Sequence, residues 1–254
     1  MGGGARDILV LSRIPGVGST RLRALITRYG SSDAVRGAPA RELIALPEID
    51  RRTASAIGAF FRGPDAAAAG AFACDQLARL ERIGGAALTL WDPGYPPQLK
   101  TIADPPPCLF YYGSLLPQDD ASVAIVGTRT PSQYGMQMAE RFAAGLGALG
   151  ITVVSGLARG IDTAAHTACV RGGCRTLAVI GSGLDVIYPP ENRGLAGTLR
   201  AHGAVISEFP CGTSPDAANF PRRNRIVSGM TLGTLVIETG KEGVSDPFMG
   251  RAAV

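Results

Sequence analysis

Short, uninterrupted apolar runs alternate with helical patterns throughout the second half of the chain. The runs predict strands at residues 123–126, 152–154, 176–180, 204–206 and 235–237, and the patterns between them predict helices at about 135–150, 160–170 and 191–202. Strands without a polar face need cover on both sides, which intervening helices supply in parallel sheets. The sequence therefore predicts an α/β domain over residues 121–254, with a parallel sheet buried between helices.

A smaller, all-helical domain is predicted over residues 1–70. A hairpin at residues 14–18 lies between two helical patterns, and Ser19 is a suitable N-cap for the second. A weaker copy, without the glycines, precedes a helical run at residues 51–61. Helix-hairpin-helix units bind DNA phosphates through backbone N–H groups at the glycine hairpin and the following helix start. The alternative is a module that only docks partners or the other domain, and the sequence favours neither.

Residues 71–120 are predicted to be a connector. The stretch 90–113 is rich in proline and aromatic residues, which excludes a long helix and favours an extended path across a neighbouring domain. Residues 1–70 hold 10 basic and 6 acidic side chains, residues 71–120 hold 3 and 6, and residues 121–254 hold 12 and 9. Two basic segments thus flank an acidic one, so an anionic partner is expected for the basic parts.

Composition excludes several classes of protein. With 46% hydrophobic residues in a chain of 254, there is enough apolar surface for a core, which excludes general disorder. No apolar run approaches a membrane span or a signal sequence, so a soluble, cytoplasmic protein is expected. The five cysteines form no Cys-x-x-Cys pair and there are two histidines, so we predict no metal site and no disulfide framework.

Three segments next to the predicted strands combine arginine with glycine, proline or hydroxyl side chains. They are residues 127–135, residues 155–160 and a loop at residues 220–225. Ligands of open α/β sheets bind beyond the carboxyl ends of the strands, and guanidinium groups hold phosphates with paired hydrogen bonds. Phe220, beside three arginines, offers a flat face for an unpaired base. These segments predict a cleft that follows single-stranded nucleic acid.

The predicted site is a binding site, with no catalytic and no metal-binding members. Its DNA-binding candidates are Gly127, Arg129, Ser132, Ser155, Gly156, Arg159, Gly160, Phe220, Arg222, Arg223, Asn224 and Arg225. Asp162 and His166 share a helix face, but no serine or cysteine is paired with them, and we interpret the pair as structural. Residues 145–150 spell G-x-G-x-x-G before a strand rather than after one, so no dinucleotide cofactor is predicted.

Spaced motifs accumulate between Trp91 and Glu238. They are residues 95–99 with 104–106, 126–129 with Ser132 and 134–135, 155–162 through His166, 172–173, 188–192, 207–208 and 220–226. Together these motifs resemble the DprA/Smf family, the DNA-processing proteins of bacterial natural transformation. The resemblance implies an extended Rossmann-like domain after a small SAM-like helical domain.

The resemblance also implies a function. It implies a protein without catalytic turnover that binds single-stranded DNA without sequence preference, shields incoming strands and helps to load the RecA recombinase. By position, the residues implied to contact DNA are Arg129, Ser132, Ser155, Arg159, Phe220, Arg223, Asn224 and Arg225. Arg222 stands at a variable position of the family motif, so its inclusion rests on charge alone.

The end of the chain departs from the family pattern. Where the family continues with a Ser-Gly-rich turn, a helix and further strands, residues 239–254 supply 16 residues without clear periodicity. The resemblance associates dimerisation and RecA contact with that half of the domain. A homodimer and RecA binding are therefore less secure expectations than DNA binding, and we expect a monomeric chain.

Two other interpretations stay open at this point. One is an enzyme, a nucleoside-monophosphate phosphoribohydrolase of the lysine-decarboxylase-like kind, which also has a Rossmann-like sheet and resembles this chain at residues 155–156. Its Pro-Gly-Gly-x-Gly-Thr-x-x-Glu motif is incomplete here, because residues 230–238 lack the leading Pro-Gly-Gly. Release of base from AMP would distinguish it. The other is a partner-docking protein, which would not retard oligonucleotides at low salt.

Overall fold

A helical module comes first in the computed structural model, which describes residues 3–239. Its helices are α1 (Ala5–Leu11), α2 (Ser19–Tyr29), α3 (Ser32–Gly37), α4 (Ala40–Ile44), α5 (Arg51–Arg62) and α6 (Asp65–Arg82). The predicted helix-hairpin-helix unit is present as α1, a hairpin and α2, and the run at residues 51–61 is α5. One local prediction was wrong: Ser19 is the first helical residue, and Gly18 holds the N-cap position.

Local sequence explains the turns of this module. Gly16 has φ of 81° in the hairpin, and Gly30 ends α2 with φ of 77°, a backbone region that glycine adopts without strain. The Asp50 side chain accepts a hydrogen bond from the Thr53 backbone N–H and so caps α5. Leu25 of α2 and Ile57 of α5 are buried in the same core cluster.

One seven-stranded sheet forms the rest of the fold. Its strands are β1 (Gly85–Thr89), β2 (Cys108–Gly113), β3 (Ser122–Val126), β4 (Thr152–Ser155), β5 (Thr176–Ile180), β6 (Gly203–Ser207) and β7 (Gly233–Val236). They lie in the order β1-β2-β6-β5-β4-β3-β7. The five strands from β3 to β7 are parallel, and β1 and β2 extend the sheet antiparallel at the β6 edge. The predicted α/β fold is confirmed.

The helices of this part are α7 (Pro97–Lys100), α8 (Gln133–Ala148), α9 (Ile161–Arg171), α10 (Arg193–His202) and α11 (Asn219–Gly229). Apolar residues of α8 and α9 cover one face of the central strands, where Ile125 and Val153 are fully buried. Ile226 and Val227 of α11 pack with Leu99 of α7 on the other face. The central strands are thus buried on both sides, as their unbroken apolar runs require.

Two features differ from the sequence expectation. Residues 71–120, which the sequence predicted as a connector and extended lead-in, include β1 and β2 of the sheet, and α6 runs across residue 70. The segment 220–225 was predicted as a loop and is part of α11. The expected departure after Glu238 falls almost wholly on residues 240–254, outside the described residues. Within residues 3–239, no helix is long and apolar enough to cross a membrane.

A largely buried ion pair, Asp119–Arg175, joins the segment before β3 to the segment before β5. The Arg175 guanidinium donates to both carboxylate oxygens of Asp119, at 2.5 Å and 2.8 Å. The same carboxylate accepts from the Thr152 hydroxyl and the Leu116 backbone N–H. The Asp119 side chain is 9% exposed and that of Arg175 14%. Loss of either partner leaves the other charge buried and uncompensated.

We expect Asp119→Ala to lower the free energy of unfolding by about 3 kcal/mol, because the partner cation stays in a poorly solvated position. Urea denaturation of the full chain measures this change. Asp120→Ala is the matched control, since the Asp120 side chain is exposed and only its backbone carbonyl accepts a hydrogen bond, from Gln98. Equal stability of the two variants would contradict the assigned role of Asp119.

Candidate nucleic-acid interface

A cleft lies beyond the carboxyl ends of β3, β4 and β5. It is lined by Arg129, Gly156, Ala158, Arg159, Gly181, Ser182, Tyr188, Pro189, Phe220 and Arg223. These residues come from segments far apart in sequence, which the parallel strands bring to one edge of the sheet. Open α/β sheets bind their ligands at this edge.

An aromatic and cationic cluster forms the mouth of the cleft. The Arg129 guanidinium carbon lies 5.1 Å from the centroid of the Phe220 ring, and the Tyr188 ring centroid lies 6.1 Å from the same ring. Arg129 is exposed, Tyr188 is 39% exposed and Phe220 is partly buried. Phe220 rests on Gly181, where a Cβ atom would lie 3.1 Å from the ring. Two partly exposed aromatic rings therefore lie beside an exposed positive charge.

Arg223 lies at the floor of the cleft and is not a free cation. It is 6% exposed, and its guanidinium donates to the backbone carbonyls of Gly156, at 2.6 Å, and Val179. A Cβ atom at position 156 would overlap the guanidinium, so glycine is required there. Asp162 is buried nearby, and burial raises the pKa of its carboxyl while the charge of Arg223 opposes that shift. Arg223 thus fixes α11 to the ends of β4 and β5.

Arg222 and Arg225 do not reach the cleft. At about 100° per residue, positions 223 and 225 of a helix point in nearly opposite directions. The Arg225 guanidinium pairs with Glu208 at 2.6 Å and lies 3.7 Å from Asp104. Arg222 lies over the Phe209 ring, 5.3 Å from its centroid. Of the arginines and the aromatic ring that the sequence predicted in one cleft, Arg129, Arg159, Arg223 and Phe220 line it. Asn224 is buried next to Arg223.

The two serines that were predicted to contact DNA form hydrogen bonds within the protein instead. The Ser155 hydroxyl is buried and donates to the Ile125 carbonyl at 2.6 Å. Ser132 is the N-cap of α8: its hydroxyl accepts from the Gly135 N–H and donates to the Glu238 carboxylate at 2.9 Å. Both serines hold strand and helix ends in place, and neither lines the cleft.

The predicted glycines allow close approach between loops. Gly160 has φ of 76°, and a Cβ atom there would overlap the Thr128 carbonyl. A Cβ atom at Gly127 would lie 2.6 Å from the Ile161 side chain. The loops after β3 and β4 therefore pack directly on each other, and this contact brings Arg129 and Arg159 to the same cleft.

Arg159 is exposed and forms an ion pair with Glu191. The pair raises the pKa of Arg159 and lowers that of Glu191, in each case mainly through their shared hydrogen bond. Exposed pairs of this kind contribute little to stability, so the guanidinium can exchange its partner.

Asp162 and His166 are structural, as interpreted from the sequence. The Asp162 carboxylate accepts from the backbone N–H groups of Gly156 and Ala158 at 3.1 Å and 3.3 Å. His166 is fully buried, with Nδ1 2.7 Å from the Thr176 hydroxyl oxygen. Within residues 3–239, no group of three or more His, Cys, Asp or Glu side chains is arranged to hold a metal ion.

Sequence reasoning missed Tyr188, Gly181 and Ser182 as lining residues. The segment after β5 was noted for its motifs but given no role, because it contains no arginine. An exposed tyrosine directly before two prolines was the available signal, since a ring held on a rigid, extended turn keeps its face open.

The buried histidine predicts a pH dependence of stability. Burial, and secondarily the charge of Arg223, lower the pKa of His166 to about 3. The unfolded chain, in which a histidine titrates near 6.5, then binds the proton more tightly, so stability is lost as the pH falls from about 6.5 towards 3.

We expect the free energy of unfolding to fall by about 2 kcal/mol more in the wild type than in His166→Asn between about pH 7 and pH 5. The asparagine amide can still bond to Thr176 but does not titrate. Urea denaturation at the two pH values measures the difference, and parallel losses in both proteins would contradict the assignment.

The fold and the cleft define a Rossmann-like protein with a cationic, aromatic binding edge, a class suited to nucleic acids. The sequence model of DNA recombination-mediator protein A matches residues 86–245, and that of the helix-hairpin-helix motif matches residues 8–69. The chain belongs to the DNA recombination-mediator protein A family, whose members carry the names DprA and Smf. The family resemblance stated from sequence is therefore confirmed.

Individual relatives agree with this assignment. Protein Smf of Synechocystis sp. is 46% identical over 155 residues, which are 59% of this chain and 39% of that protein. The X-ray structure of DNA processing protein A from Streptococcus pneumoniae matches with a TM-score of 0.79 at 31% identity, covering 99% of this chain and 84% of that chain. DNA processing protein A from Helicobacter pylori, whose structure is described for its unique single-stranded DNA binding mode, matches with a TM-score of 0.56 at 27% identity, covering 63% and 71%.

These similarities cover only part of the relatives. The matched segment spans 39% to 53% of the length of the first four curated relatives. The descriptions of the family and of these proteins name DNA processing and recombination, and they name no catalytic reaction.

Proposed function

We propose that this chain binds single-stranded DNA without sequence preference in the cleft beyond β3, β4 and β5. The observation that carries the proposal is the position of the exposed Arg129 side chain over the Phe220 ring, with the partly exposed Tyr188 ring beside it. The single-stranded DNA binding described for the Helicobacter pylori relative supports it.

The geometry suits unpaired bases. A base can stack on Tyr188 or on Phe220 only when it is not paired inside a duplex, and every base has a face to stack. Arg129, on an exposed loop, and Arg159, whose partner Glu191 is also exposed, can each hold a phosphate. Stacking and phosphate contact carry little sequence information, so binding is expected to tolerate any sequence.

The enzyme interpretation has less support. A mononucleotide phosphate in a Rossmann-like sheet binds at the start of the helix after the first parallel strand. Here the Glu238 carboxylate already occupies the start of α8, accepting from the Ser132 backbone N–H at 3.1 Å and from its hydroxyl. An anion at that position would meet a fixed negative charge.

We extend the proposal to the wider role implied by the family. Bound strands would be shielded and passed to the RecA recombinase in the cytoplasm, in line with the family's description as a recombination mediator. Homodimer formation is not part of this proposal. The cleft itself is built from residues of one chain.

Replacing Arg129 by alanine should weaken binding of every oligonucleotide alike. Loss of one phosphate contact should also reduce the slope of log affinity against log salt concentration by about 0.7. Fluorescence anisotropy with labelled oligonucleotides of different sequence, at several salt concentrations, measures both effects. Arg171→Ala is the matched control, since Arg171 is exposed at the far end of α9. An unchanged affinity and salt slope in Arg129→Ala would contradict the proposal that this cleft binds DNA.

Removing the aromatic faces should weaken binding independently of charge. Phe220→Leu and Tyr188→Leu should each cost about 1–3 kcal/mol of binding free energy, the typical value of one base stack, with the salt slope unchanged. Phe142→Leu, on the exposed side of α8, is the control. Wild-type affinity in both variants, or release of base from AMP by the unmodified chain, would favour a different function.

A further inference from the structure

A groove on the helical module has the features of a second binding surface. It lies between α3, α4 and α5, encloses about 830 Å³, and has no aspartate or glutamate among its lining residues. Its residues fall between positions 35 and 62, so it shares none with the cleft on the sheet.

Three arginines line this groove without acidic partners. Arg36, Arg51 and Arg62 are all exposed, and within residues 3–239 none of them forms an ion pair. The Arg62 guanidinium turns back over the groove wall, where a Cβ atom at Gly58 would lie 3.0 Å from it. Asp33 lines the adjoining pocket, which shares Arg36 and Arg62 with the groove. Like charges gathered in a concave surface produce a positive potential that attracts an anionic ligand.

Apart from Ser55, the remaining lining of the groove is apolar. Leu43 and Ile57 are buried in its wall, Phe61 is partly buried, and Ile44 is 40% exposed although it is a large hydrophobic residue. An exposed apolar side chain inside a concave surface gains from contact with an apolar ligand group. The ligand that fits therefore combines negative charge with apolar side chains.

We propose that this groove docks an acidic peptide segment of a partner protein. Carboxylates of the peptide lie opposite Arg36, Arg51 and Arg62, and its apolar side chains cover Ile44 and Phe61. Grooves between helices commonly recognise a peptide by taking up the apolar side chains on one face of it.

Duplex DNA fits the groove less well. Its backbone supplies charge but no apolar side chain to cover Ile44. The element of the module that would hold phosphates, the start of α2 after the hairpin, is already engaged: the Ser19 hydroxyl and the Arg23 guanidinium both donate to the Asp104 carboxylate at 2.6 Å. The start of α2 thus holds the module against the loop between α7 and β2, and the groove is a separate surface.

Two pools of short synthetic peptides test the proposal with the full chain. One alternates glutamate with leucine and phenylalanine, and the other has lysine in place of glutamate. We expect the acidic pool alone to shift the backbone NMR signals of groove residues at about 1 mM peptide or below. The absence of such shifts, or equal shifts with the lysine pool, would overturn the proposal.

Variants then assign the binding to the groove. Arg51→Glu combined with Arg62→Glu should weaken binding of the acidic pool roughly tenfold or more, because like charges then face each other. Ile44→Ser should also weaken it, whereas Arg52→Glu, an exposed neighbour that does not line the groove, should not. Thermal unfolding checks that each variant is folded. A short duplex that binds the wild type, loses affinity in the double arginine variant and keeps it in Ile44→Ser would identify nucleic acid as the ligand and overturn the peptide.

Discussion

The buried guanidinium of Arg223 joins three parts of the fold that would otherwise be independent. It donates to carbonyls at the ends of β4 and β5 from a side chain on α11, close to the buried carboxylate of Asp162. A buried charge is tolerated only where hydrogen bonds and opposite charge compensate it, so α11 has a single position against the sheet. That position fixes Phe220, one turn earlier on the same helix, at the mouth of the cleft. Arg223 therefore positions Phe220 and is not itself a free cation in the cleft.

The same helix separates two electrostatic environments. On its cleft side the exposed charges are those of Arg129 and Arg159, whereas on the other side Arg225 is compensated by Glu208 and Asp104. Asp104 also holds the start of α2 in the helical module through Ser19 and Arg23. One carboxylate thus links the module to α11, and its charge is compensated by arginines of both.

The sequence predicted the sheet well because its strands are unbroken apolar runs, a pattern that only burial on both faces explains. It predicted the cleft less completely. An arginine-rich, proline-containing stretch looks like a loop when tertiary contacts are unknown, and a loop would place all three arginines together. As a helix, the stretch points them in different directions: Arg223 lies at the floor of the cleft, Arg225 pairs with Glu208, and Arg222 lies over the Phe209 ring. Ser155 and Ser132 show the same limit, since nothing local indicates that their hydroxyls bond to Ile125 and Glu238.

Arg159 illustrates how such a cleft can be both stable when empty and ready to bind. Its partner Glu191 is on the surface, where an ion pair contributes little to stability, so exchange of the carboxylate for a phosphate costs little. A guanidinium without any partner would be free to move and would lose more entropy on binding. The weak pair keeps Arg159 near the cleft, and Arg129, resting on the Phe220 ring, is held in a comparable way by a cation–π contact. Both cations are thus oriented by interactions weak enough for an anionic ligand to replace.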